Sequence, residues 1–222
     1  MKLPGLITAI VTVACLSAAP KADAQYYQIA SQLSNLIQPA LSGSLNYKGF
    51  VELGGTAGLG GNRANFVGIS TTQGFTYSSW FFMGAGIGVD VAMSKGAPDN
   101  SGNAETYGRG STRTKAMIPV FSDFRFNVGG RENTSFFIDL KIGAAWLLGS
   151  SYLELRDGGM SGQTQFYFKP SLGFRIPVDD RNSSHAINLG LTYQLLTNNS
   201  NWDWYNNNIT LNNLGFTIGY EW

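Results

Sequence analysis

Two short stretches, DFR at 123–125 and DLK at 139–141, place a carboxylate two residues from a cation. Paired carboxylates can do general acid–base work. At a spacing of two, however, acid and base share one face of a strand, and each charge finds its counter-ion beside it. The expectation is therefore a structural ion-pair network, with no catalytic residue assigned. The single histidine, His185, opens a strand just after a short connection, where it reads as an interfacial or turn-capping residue. PDNSGNAE, within residues 95–114, carries oxygen ligands without the spacing of a calcium loop. GGTAGLGG does not sit between a strand and a helix, as a phosphate cradle requires. No metal or cofactor is expected. One segment invites a ligand: in NNSNWDWYNNN, Trp202, Trp204 and Tyr205 stand among amides, beside Asp203. Aromatic faces in that company stack on sugars or anchor a protein partner. The competing reading seats the same rings in a headgroup belt.

The elements that position these residues follow period two. Eight alternating runs cover residues 47–60, 65–75, 80–93, 115–129, 135–149, 164–178, 185–196 and 209–222. Most have the roughly nine to eleven residues that a tilted strand needs to cross a bilayer. The second run alternates poorly. Long connections at 95–114, 149–162 and 197–208 alternate with short ones near 76–79, 130–134 and 179–184, and of the connections at the long-loop end only the first, near 60–65, is short. Tight turns at one end and long loops at the other fit a membrane barrel. An even strand count then puts both chain ends in the periplasm.

Parity separates two faces. Ile138, Leu140, Ile142, Trp146 and Leu148 share one side of the fifth run; Asp139, Lys141, Gly143 and Ala145 share the other. The same parity collects Glu52, Asp90, Asp123 and Asp139 with Arg125, Lys141, Lys169 and Arg175, four acids against four bases, as a lumen network. Glycine makes up 28 of 222 residues, against a usual share of about 7%. The glycines at 54, 86, 88, 143, 173, 190 and 215 lie on the charged side and are expected to make room for long cationic side chains. Tyr47, Trp80, Phe81, Trp146, Phe166, Tyr220 and Trp222 suit interfacial girdles.

The start of the chain has a short positive end, an apolar stretch and the small-residue site Ala22-Asp23-Ala24, the pattern of a signal peptide over 1–24. Cleavage there removes Lys2, Lys21, Asp23 and the lone Cys15, leaving thirteen bases against thirteen acids. A neutral chain gives no basis for nucleic-acid binding, and one without thiols needs no disulfide. Residues 25–46 space Ile29, Leu33, Leu36, Ile37 and Leu41 as a short amphipathic helix and linker in the periplasm. The expected fold is all-β: an eight-stranded antiparallel transmembrane up-and-down β-barrel over 47–222, with a short N-terminal helix.

The last strand, with Phe216, Ile218, Tyr220 and Trp222 on one face, resembles the C-terminal assembly signal of bacterial outer-membrane barrels. YKGFVELGGTAGLG, FFMGAGIGVDV, IPVFSDFRFN, FIDLKIGAAW and KPSLGFRIP resemble the small OmpA/OmpX-like, porin-family barrels common in Bacteroidetes. That resemblance implies residence in the cell outer membrane of a Gram-negative bacterium. It also implies contact with outer-membrane lipid and lipopolysaccharide, and folding by the barrel-assembly machinery. It brings no catalytic residues, and with the chain ending at Trp222 no wall tether is expected. The expected role is structural or surface recognition, with a glycan or protein as ligand. The alternatives are a narrow porin-like channel and, more remotely, a lipid A-modifying enzyme. Such enzymes are expected to use a histidine near the outer leaflet, and His185 falls at the other end.

Overall fold

The computed structural model describes residues 46–77, 80–94, 114–129, 134–149, 153–155, 158–160, 164–178, 185–198 and 209–222. The expected leader over 1–24 and helix over 25–46 lie outside these residues, Asn46 apart.

Each alternating run forms a strand. In chain order they are β1 (Asn46–Leu59), β2 (Ala64–Thr76), β3 (Phe81–Ser94), β4 (Thr114–Val128) and β5 (Ser135–Leu147). Two three-residue strands follow, β6 (Leu153–Leu155) and β7 (Gly158–Met160), and then β8 (Thr164–Pro177), β9 (Ala186–Asn198) and β10 (Ile209–Glu221). The eight long strands pair antiparallel with their chain neighbours, and β10 pairs back onto β1 to close the barrel. The chain is thus an all-β up-and-down barrel of eight strands. Closure leaves no unpaired edge in the wall.

Parity is kept around the ring. Leu53, Ile69, Val89, Ile138, Leu172, Leu189 and Phe216 point outward and are exposed, while Glu52, Asp90, Asp139, Ser171, Asn188 and Thr217 point inward and are buried. The poor alternation of β2 has a local cause. On its outer face Gln73 donates to Thr71 Oγ1 at 3.0 Å, Thr71 donates to the Phe50 carbonyl at 3.0 Å, and Tyr47 donates to Gln73. These polar groups satisfy one another, so the strand holds its register without a clean apolar stripe.

The ladder lapses in two places. Pairing of β3 with β4 skips Gly88–Val89 opposite Ile118–Pro119, and pairing of β8 with β9 skips Lys169–Pro170 opposite Tyr193–Gln194. Each lapse contains a proline, which has no N–H to donate.

One element was not foreseen. Within the connection over 149–162, expected as a loop, residues 153–155 and 158–160 pair as the β6–β7 hairpin, with Leu153 opposite Met160. It turns its apolar residues into the barrel mouth.

Candidate functional site

The interior is arranged in three levels. At the end with the short turns, Glu221 of β10 accepts from Lys48 Nζ at 2.6 Å and from Arg175 Nε at 2.9 Å. These three side chains close the floor, joining β1, β8 and β10.

The middle level bridges the barrel from wall to wall. Arg125 and Asp139 face each other on adjacent strands β4 and β5, and Arg125 Nη2 lies 3.1 Å from Asp139 Oδ2. The same nitrogen lies 2.7 Å from Glu52 Oε1. Lys141 donates to Asp139 at 2.7 Å and also to Glu52. Strand β1 stands four strands round the ring from β5, so the Glu52–Lys141 pair spans the lumen. The guanidinium of Arg125 lies over two rings, 4.1 Å from the Phe50 centroid and 4.7 Å from that of Phe137. Its charge is therefore met by two carboxylates and by two aromatic faces.

The upper level, at the long-loop end, is apolar. Phe66, Met117, Phe121, Tyr167, Leu196 and Leu211 line it, and all are buried. Leu153, Leu155 and Met160 of the hairpin fill it, and Ser94 Oγ ties the hairpin to β3 by donating to the Glu154 carbonyl.

All eight residues of the anticipated network are buried and face inward. The structure gathers four of them, Glu52, Arg125, Asp139 and Lys141, into one ring. Arg175 instead belongs to the floor with Lys48 and Glu221. Among the described residues no ion pair within 4.0 Å includes Asp90, Asp123 or Lys169. Both carboxylate oxygens of Asp123 are buried without a hydrogen-bond partner. The balance of four against four is also revised, because Lys48, Lys115 and Glu221 join the inward-facing charges. Parity alone signals them: Lys48 keeps step with Glu52 along β1, and Glu221 alternates with Tyr220.

The glycine reading is corrected too. A side chain at Gly86 would strike the Phe121 ring, and one at Gly143 would strike the backbone of β4. Of the seven named, Gly54 is the position with a cation among the nearest atoms, and there Lys169 Nζ, 3.6 Å from the place a Cβ would take, lies behind Thr217 at 3.0 Å. Most of the space goes to aromatic rings and to close approach of neighbouring strands.

Outside the wall, His185 Nδ1 is 2.8 Å from Tyr220 Oη, and the rings of His185, Tyr220 and Trp222 stack in sequence. Trp222 exchanges backbone hydrogen bonds with Gly49 at 3.1 and 3.0 Å, fastening the last residue to β1. Phe216, Ile218 and Tyr220 point outward along β10. Trp202, Trp204 and Tyr205 lie outside the described residues, as does all of 95–114 except Thr114.

No protein-family model and no curated protein matches the chain. Solved structures do. The chain is similar to Neisserial surface protein A at 8% identity and a TM-score of 0.49, over 79% of this chain and 95% of that one. It is similar to the outer membrane enzyme PagL at 13% identity and a TM-score of 0.46, over 78% and 97%. It is also similar to the N-terminal β-barrel domain of Pseudomonas aeruginosa OprF at 9% identity and a TM-score of 0.44, over 80% and 99%. At these values the assignment of a closed barrel rests on the strand pairing of this chain itself.

Proposed function

We propose that the chain spans the bacterial outer membrane as a closed barrel with a structural or surface-recognition role and no enzymatic activity. One observation carries this reading. The barrel is apolar outside and charged inside, with Leu53, Ile69, Ile87, Leu172, Phe174 and Phe216 each half-exposed or more while Arg125, Asp139 and Arg175 are fully buried. In water that arrangement forfeits the burial of a whole apolar wall; in lipid the wall is solvated and the charges neutralise one another. The ion pairs across the middle level support a closed lumen rather than a solute channel. The carboxylates of that level are engaged by Arg125 and Lys141, and His185 is engaged outside the wall, which supports a non-catalytic role.

The test of the membrane reading places a fluorophore on single cysteines along β10 and at one turn position, in vesicles containing brominated phosphatidylcholine. Labels at Leu214, Phe216 and Ile218 are expected to be quenched, and a label at Arg63, exposed in the turn between β1 and β2, spared. Uniform quenching, or none, overturns the reading. In the same reading the C-terminal face of Phe216, Ile218, Tyr220 and Trp222 addresses the assembly machinery. Recognition of a glycan or protein is assigned to Trp202, Trp204 and Tyr205 from their sequence alone. Its test is surface binding of the triple alanine variant, with unchanged binding at normal assembly counting against it.

A further inference from the structure

The upper level differs chemically from the two beneath it, and what fills it is a small insert. Leu153, Leu155 and Met160 are each at most 1% exposed, yet they are carried on strands of three residues. Their side chains hold twelve non-hydrogen atoms between them, the count of a dodecyl chain. A cation stands on the same inward face as the lining residue Met117. Lys115, two residues from Met117 and opposite Ala92, is 5% exposed, and its ammonium has no hydrogen-bond partner among the described residues. A buried ammonium without an acceptor is costly, and an anion relieves that cost.

Apolar walls next to an unanswered cation are the chemistry of a site for an anionic amphiphile. We infer that the upper level binds one long aliphatic chain with an anionic head. The chain takes the place of Leu153, Leu155 and Met160, and the head pairs with Lys115 Nζ. The hairpin is then the resident plug that occupies the chamber when no chain is bound. A fatty carboxylate and one acyl chain of an anionic lipid share this chemistry. Supply of the chain from a bilayer rests on the membrane reading above; the chamber does not.

The experiment uses the folded chain in phosphatidylcholine vesicles with a diazirine-bearing dodecanoate, irradiated and mapped by peptide mass spectrometry. Saturable labelling at Met117, Leu196 and Leu211 is expected, over a non-saturable background on Leu53, Ile69 and Phe216. Lys115→Met is expected to weaken chamber labelling about tenfold, the worth of one charge-assisted hydrogen bond, while Lys115→Arg retains it. Met160→Gly, which loosens the plug, is expected to tighten it about tenfold. Chamber peptides that stay unlabelled in both the native chain and Met160→Gly, with the barrel folded, overturn the site. Equal labelling in Lys115→Met overturns the role given to the cation. Labelling of the chamber without the outer wall overturns the membrane reading and upholds the site. A second probe, phosphatidylglycerol with the diazirine in one acyl chain, distinguishes the sources: chamber labelling by it assigns the lipid, and labelling by dodecanoate alone assigns the free carboxylate.

Discussion

Replacing Arg125 by methionine tests whether the middle level is held by charge or merely filled. The side chain is fully buried, with Glu52 at 2.7 Å, Asp139 at 3.1 Å and its guanidinium over the Phe50 and Phe137 rings. Methionine keeps much of the stem and removes the cation. Lys141 must then serve Glu52 and Asp139 alone. Breaking a buried pair by deleting one partner costs about 3–5 kcal/mol, because a desolvated charge is left behind. With the ring contacts also lost, about 4 kcal/mol is expected, close to a thousandfold in the folding equilibrium. The companion variant Glu52→Gln/Arg125→Met removes one charge of each sign and leaves the Asp139–Lys141 pair at 2.7 Å intact. It is expected to lie within about 1–2 kcal/mol of the native chain, since loss of a whole pair is far milder than loss of half. Reversible urea unfolding from vesicles, followed by tryptophan fluorescence and by electrophoretic mobility without boiling, measures both. A single variant that loses less than about 1 kcal/mol, or a double no better than the single, refutes the reasoning.

Asp123→Asn removes a third acid from beside Asp139, where three acids face the two bases Arg125 and Lys141, and should raise stability by about 1–2 kcal/mol in the same unfolding assay. Gly86→Leu drives a side chain into the Phe121 ring and should cost about 1–3 kcal/mol by overpacking. Removing Trp222 with Tyr220→Ala takes away the ring stack and the backbone bonds to Gly49, and the amount of folded barrel recovered from the envelope should fall while the amount synthesised does not.

How far the sequence led differs from part to part. The strands were legible because every other residue from Ile138 to Leu148, or from Leu214 to Tyr220, is apolar, and period two admits few other readings. The inward charges were legible for the same reason. Parity fixes a face, however, and neither a depth nor a partner across the lumen. Glu52 meets Lys141, 89 residues on, through barrel closure, which local spacing does not encode. That is why one anticipated network became a ring and a separate floor. The hairpin escaped because β6 and β7 are too short for any period to register. The roles of Gly86 and Gly143 depend on where the Phe121 ring turns, a packing choice made in three dimensions.

The central claim is a membrane barrel whose lumen is shut by its own side chains, and single-channel recording in a planar bilayer tests it most directly. The folded chain should insert, as shown by its heat-dependent mobility and protection from protease, and yet pass no steady current. Discrete, lasting conductance steps that change when Arg125 or Asp139 is neutralised would contradict the account and make the middle level the constriction of a channel.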